Sequence, residues 1–286
     1  MWIIFAVLSA FFAGITSILA KCGIKNTDST VATAVRTCVV LVFAWIPVFI
    51  TGSQGQLENA DCTTLVFLIL SGLATGASWL CYFKALQKGP VNKVVPVDKT
   101  STVLTIIMAF IFLNEKISAA GIAGIILISA GTFMMLEKKN AEENESGRGW
   151  FVYAAGSAVF ASLTSILGKV GIEGIDSNLG TAVRTCVVLA MAWLMVAVTG
   201  KMKEVTRIPR NEMLFICFSG FATGASWLCF YRALQEGPAS AVVPIDKLNI
   251  LVTAAFSCMV FHEKLTKKSA AGLVMITAGT IIMALR

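Results

Sequence analysis

The sequence predicts an all-α polytopic membrane protein, with ten transmembrane helices in two five-helix repeats that face opposite ways across the bilayer. Three observations lead there. Of 286 residues, 57% are apolar and only 14% are charged, against about 45–50% and about 25% in soluble domains. The apolar residues fall in blocks of about 20, the length a helix needs to cross about 30 Å of hydrocarbon. The chain also repeats itself at a single offset, so the predicted unit is half the chain.

The repeat is specific. TAVRTCVVL at 33–41 returns at 181–189, and ATGASWLC at 74–81 returns at 222–229. GP…VVPVDK at 89–99 becomes GP…VVPIDK at 237–247, and Asn114-Glu115-Lys116 becomes His262-Glu263-Lys264, always 148 residues on. Spans are predicted near 2–20, 31–50, 63–86, 93–113 and 118–136 in the first copy. In the second they fall near 150–168, 179–198, 211–234, 241–261 and 267–285. The opening stretch lacks a positive n-region and recurs at 151–168, so it reads as a first span rather than a signal peptide. Pro96 and Pro244, near the start of each fourth span, remove a backbone donor and predict a kink. The polar stretch 137–149 reads as a cytoplasmic linker between repeats 1–136 and 150–286.

An odd number of spans per copy inverts the second copy, and the loop charges agree. Lys25 in the first loop is matched by Glu173, and Lys88 and Lys93 are matched by Glu236 and Ala241. The second loop has no basic residue, whereas its repeat carries Lys201, Lys203, Arg207 and Arg210. Lys116 stands alone in the fourth loop, against Lys264, Lys267 and Lys268. In total 15 Lys and Arg fall on one side, four on the other and four inside spans. The positive-inside rule makes the first side cytoplasmic and puts both termini outside, in a cell membrane. This distribution also accounts for the net charge of +7 without invoking nucleic acid.

Several chemistries are set aside. The eight cysteines stand singly, and Cys38, Cys81, Cys186 and Cys229 lie in apolar blocks, where a thiol acts as a small hydrophobe. His262, the only histidine, reads as a solvated helix-end residue. With no phosphate-binding glycine loop, metal cluster or Ser–His arrangement, neither an enzyme nor a cofactor or metal is expected.

Intramembrane charge costs roughly 2.5–3.5 kcal/mol per group and marks function. Arg36, Asp98 and Lys99 lie inside spans, as do Arg184, Asp246 and Lys247. Arg36 and Asp98 sit about 8–9 Å from the cytoplasmic ends of their helices at 1.5 Å per residue, so an ion pair is expected. Arg184 and Asp246 are its counterpart near the outer face. The pairs read as gates opened in alternation, or as structural pairs with Arg36 snorkelling. Lys99, turned about 100° from Asp98 on one helix, is left to meet substrate. Thr75, Ser78, Trp79 and Tyr82 form a polar and aromatic face, mirrored by Thr223, Ser226, Trp227 and Phe230. It lines a pocket or packs helices, as the Gly72–Gly76 pair favours. Trp2, Trp45, Trp150 and Trp193 read as interface anchors. With two basic groups to one acid per copy, the cavity favours anionic or zwitterionic solutes.

The unit with WLCYFKALQKG, the following VVPVDK, and NEK before a Gly-rich last span resembles the EamA family of the drug/metabolite transporter superfamily. The resemblance covers both copies. It implies ten helices around a central cavity and transport of a small solute by alternating access, as an exporter. It also implies a fused pair that is self-sufficient as a monomer and compatible with a homodimer. An amino acid or organic anion is favoured as substrate; the alternative is proton-coupled export of cationic drugs. The first spans carry no acidic residue, unlike the small multidrug-resistance relatives.

Overall fold

The computed structural model describes residues 1–23, 26–88, 91–116, 118–135, 149–261 and 266–284. Among them the chain is helical throughout. The first copy forms α1 (Trp2–Gly23), α2 (Ser29–Thr51), α3 (Cys62–Lys88), α4 (Val91–Lys99), α5 (Ser101–Phe112) and α6 (Ala119–Met135). The second forms α7 (Gly149–Gly171), α8 (Ser177–Val198), α9 (Arg210–Glu236), α10 (Ala239–Asp246), α11 (Asn249–Phe261) and α12 (Lys267–Ala284). Short 3-10 turns at Ser53–Leu57 and Met202–Arg207 follow α2 and α8. Eight helical stretches of the described residues are long and apolar enough to cross a membrane, with α6 a shorter apolar helix.

The second span of each copy begins at an aspartate cap. Asp28 caps α2, its carboxylate accepting from Thr30 N at 2.8 Å and Val31 N at 3.4 Å. Asp176, 148 residues on, caps α8 through Asn178 N at 2.9 Å and Leu179 N at 3.4 Å. These bonds satisfy amides that the first turn leaves without partners.

The fourth span of each copy departs from expectation. A kink is expected at Pro96 and Pro244, and a break is found three to four residues later, between α4 and α5 and between α10 and α11. Proline withdraws a donor, and the following Asp–Lys pair favours a polar site. The backbone then tightens into i to i−3 bonds. Thr100 N donates to Val97 O at 3.1 Å, Lys247 N to Pro244 O at 3.1 Å and Leu248 N to Ile245 O at 3.0 Å. Thr100 Oγ1 adds a bond to Val97 O at 2.6 Å. The break therefore leaves these backbone groups paired, as a hydrocarbon setting requires.

The copies are interleaved rather than side by side. α1 packs on α9 and α3 on α7, while α2 pairs with α8 and α6 with α12. Small residues permit these approaches. A Cβ on Gly131 would stand 2.6 Å from Gly272 O, and one on Gly279 2.7 Å from Gly124 O. Gly72 and Gly76 face Val187 and Met191 of α8, so that pair serves packing. Two expected interface anchors also have interior partners: Trp193 Nε1 donates to Cys38 Sγ at 3.4 Å, and the Trp2 ring lies against Gly237.

Asp28 also pairs with Lys201 at 2.6 Å across the copies. Burial alone would raise its carboxyl, but the Lys201 bond and charge, with the Thr30 and Val31 amides, carry it below the usual value. A depressed carboxyl stabilises the fold above its unfolded value near 3.9 and loses that contribution as pH falls through the folded value. Asp28→Ala is expected to cost about 1 kcal/mol near neutral pH. The deficit relative to wild type should shrink below about pH 4, as read by thermal unfolding in detergent across pH.

Candidate functional site

A cavity of about 310 Å³ lies where the copies interleave. Its wall includes Thr75, Ser78 and Trp79 of α3, Arg184 of α8, and Ser226, Trp227, Phe230 and Tyr231 of α9. Asp246 and Lys247 close it at the α10–α11 break. The polar and aromatic faces of the third spans thus meet across one space.

Arg184 dominates the wall. Its side chain is buried, at 2% exposure. Nε donates to Ser71 Oγ at 3.0 Å and one terminal nitrogen to Thr75 Oγ1 at 2.5 Å. Both hydroxyls are themselves oriented: Ser71 donates to Thr164 O at 2.7 Å and Thr75 to Ser71 O at 3.0 Å. The guanidinium carbon lies 5.1 Å from the Trp227 ring centre and 4.8 Å from that of Tyr231. Aromatic faces stabilise a desolvated cation by about 2 kcal/mol or more. The other terminal nitrogen has no partner. The guanidinium is held rigidly with one donor group unspent.

This arrangement corrects the expected ion pairs. Arg184 does not pair with Asp246, nor Arg36 with Asp98. Asp246 instead accepts from Ser9 Oγ at 2.7 Å and Asp98 from Ser157 Oγ at 2.6 Å, both hydroxyls coming from the opposite copy. Arg36 is half-buried and makes no hydrogen bond or ion pair with another described residue. Depth along two helices is the same whether or not their side chains face each other. Burial of Arg184 is met by hydroxyls and rings rather than by a carboxylate.

The remaining predicted residues divide. Tyr82 packs in an apolar cluster with Ala85, Val94 and Ala154, off the cavity wall. Thr223 bonds Thr16 at 3.3 Å and Ser219 O at 2.7 Å. Lys99 opens into a crevice against Ile128, Ser129 and Thr132 of α6 rather than into the cavity. His262 lies outside the described residues. Sequence reasoning missed Ser71 and Tyr231. Gly168 was their one signal: a Cβ there would meet Tyr231 Cε1 at 2.6 Å, whereas the first copy has Ala20 and Phe83 at the equivalent positions.

A polar lock holds the start of α10. Glu115 accepts from Ala239 N at 2.7 Å and Ser240 N at 2.9 Å, neutralising the start of α10. Lys169, 3.7 Å from Glu115, donates to Leu234 O at 3.1 Å and Gly237 O at 2.5 Å. Ala239 to Ile245 are all buried, and α10 packs on α5. In α4, the counterpart of α10 in the first copy, Val94 is the only buried side chain among those described.

The fold and this cavity define a multi-pass membrane protein of the transporter class. The chain belongs to the EamA-like transporter family, whose sequence pattern matches residues 1–137 and 148–285. It is 26% identical to human solute carrier family 35 member G1 over 99% of this chain and 78% of that protein. An uncharacterized transporter from the cobO 3′ region of a Sinorhizobium species is 42% identical over 47% of this chain and 96% of its own length. A solved crystal structure at 16% identity covers 98% of this chain and 96% of its own with a TM-score of 0.77, a likeness of fold. Its relatives are transporters and not enzymes.

Removing the lock should loosen the start of α10 alone. Glu115→Ala strips two charge-assisted bonds, worth roughly 1.5–3 kcal/mol each. Amide exchange at 237–242 should accelerate at least tenfold in hydrogen–deuterium exchange, while the α6–α12 pair stays unchanged.

Proposed function

We propose that this chain is a secondary transporter that moves a small polar metabolite bearing a carboxylate, an amino acid or organic anion, by alternating access. The observation that carries this reading is Arg184 on the wall of a central cavity, its guanidinium held by hydroxyls and rings with no carboxylate against it. Arginine stays charged, and its fork suits a carboxylate. A buried cation with donors to spare and no acid against it gains most from an anionic guest. Lys247 adds a second positive group, while Asp246 is turned onto Ser9. The volume sits at the lower end of the range for ligand sites, about 300–1,000 Å³, which suits a metabolite-sized cargo.

In this reading ten spans cross the membrane, α4 with α5 and α10 with α11 each counting as one broken span. Two inverted units, 1–136 and 150–286, are joined by a cytoplasmic linker, with both termini outside a cell membrane. The exchange of packing partners between copies supports this. So does the Sinorhizobium relative, whose own length is about one unit. Broken helices at the midplane and inverted repeats are the physical basis of alternating access. The locked α10 and the looser α4 support a state closed outside and open inside. Export is the proposed working direction, set in such a transporter by solute and ion gradients.

Thermal-shift measurements on the detergent-purified protein should show stabilisation by amino acids or organic carboxylates. Arg184→Gln should weaken that binding at least tenfold, about 1.4 kcal/mol. Stabilisation confined to lipophilic cations, lost in Asp246→Asn, would establish the cationic-drug alternative instead.

A further inference from the structure

Two chains of hydroxyls lead from the cavity to the intramembrane carboxylates. Ser226, on the cavity wall, lies 3.3 Å from Ser9 Oγ, which donates to Asp246 Oδ1 at 2.7 Å. Ser78, also on the wall, lies 3.3 Å from Ser157 Oγ, which donates to Asp98 Oδ1 at 2.6 Å. The residues of the second chain correspond to those of the first at the 148-residue offset, with the copies exchanged. Ser9 and Ser157 are fully buried. A buried hydroxyl has no stabilising role unless both its donor and acceptor capacities are used, and here each joins a cavity hydroxyl to a carboxylate.

We infer that Asp98 and Asp246 are a pseudosymmetric pair of proton-binding sites, Asp246 on the wall of the central cavity and Asp98 joined to it through the Ser78 and Ser157 hydroxyls. This rests on reading the cavity as the transport path, and it names the coupling ion as the proton. A hydronium in the cavity gives its proton to Ser78 Oγ and leaves as water, as the Ser78 proton turns from the Ser157 carbonyl, 3.1 Å away, to Ser157 Oγ and the Ser157 proton passes to Asp98. Each O–H bond broken is replaced by one formed. Both hydroxyls end neutral, and only the carboxylate changes charge. Asp246, on the cavity wall, takes its proton there directly, with Ser226 and Ser9 the matching hydroxyls beside it. With Asp246 protonated, Arg184 and Lys247 face the cavity without an opposing charge, which strengthens the hold on an anion. By linkage a bound anion equally favours the proton, so the two travel together.

The charges around each site leave these carboxylates as the proton acceptors. Lys99 has Lys247, Asp98 and Asp246 as its charged neighbours. α10 packs on α1, α5, α7, α9 and α12, and α4 on α3, α5, α6 and α7. α5 and α6 carry no charged residue, α1 has only Lys21 near its end, and α12 has Lys267 and Lys268 in its first turn. Of α9, Arg232 pairs with Glu236, Glu212 is held by Thr27, Arg210 is exposed at the helix start, and Tyr231 meets Arg184. Lys169 of α7 is tied into the Glu115 lock, and Tyr153 lies under Lys88 of α3. Lys84 of α3 bonds Gln87, and Tyr82 faces Asp98.

Infrared difference spectroscopy of the full chain in lipid nanodiscs, with an acid pH jump as the only probe, tests this without any cargo. The carboxylic acid C=O stretch should grow after the jump, with Asp98→Asn and Asp246→Asn each removing a component. Ser157→Ala should retain the Asp98 component but slow it at least tenfold, whereas Ser9→Ala should leave the rate of the Asp246 component unchanged, a contrast that loss of packing alone does not produce. Absence of both aspartate components, or a Ser157 variant with the wild-type rate for Asp98, would overturn the inference. So would a response to sodium at fixed pH in place of the response to acid. Since no carboxylate cargo is present, failure here leaves the thermal-shift result standing, and the converse also holds.

Discussion

A polar group inside a hydrocarbon layer must find its partner within the protein, and that constraint orders this molecule. It decides where the helices break, since α4 and α10 end only where i to i−3 bonds can take over. It decides how small hydroxyls behave in the spans. Thr37, Ser129, Thr132, Thr253 and Thr277 turn back onto the carbonyl four residues earlier. Other span hydroxyls, Ser9, Ser71, Ser78 and Ser157 among them, reach across to the opposite copy. Neither copy can satisfy its own charges: Asp98 needs Ser157, Asp246 needs Ser9, and Arg184 needs Ser71 and Thr75. The interleaving of α1 with α9 and α3 with α7 is therefore as much an electrostatic requirement as an apolar one.

Much of this was legible in the chain because lipid imposes a simple code. Block length gives the spans, the offset gives the repeat, and aspartates before α2 and α8 give the helix starts. Prolines before Asp98 and Asp246 signal the irregular fourth spans. The cavity wall was likewise readable from Thr75, Ser78, Trp79, Ser226, Trp227 and Phe230, whose spacing places them on common helix faces.

What misled was the search for opposite charges. Helical rise gives depth in the membrane and says nothing of which way a side chain turns about its axis. Arg184 and Asp246 share a wall, yet the arginine turns to α3 and α9 and the aspartate to α1. Serines are common in membrane helices, so Ser9 and Ser157 carry no signal singly. Their identity at the repeat offset, opposite aspartates that also repeat, was the signal that a tally of charges passed over.

The two halves hold the same parts in different arrangements. Three of the four groups that hold Arg184 have counterparts for Arg36: Ser219 for Ser71, Thr223 for Thr75 and Trp79 for Trp227. In this structure Ser219 donates to Ile216 O and Thr223 to Ser219 O, so neither hydroxyl holds Arg36. The departure lies at Phe83, which replaces Tyr231, and at Ala20, which replaces Gly168 and lacks the gap that seats the tyrosine. Where the clamp is formed, around Arg184, the adjoining α10 is buried and locked by Glu115 and Lys169. Where it is not, around Arg36, α4 is loosely covered. An exact twofold would make the two ends equally tight. For the alternating access proposed above, two near-equal copies, of which only the second forms the clamp here, would supply the pair of states that such a cycle needs. A modest ligand or proton preference is then enough to choose between them.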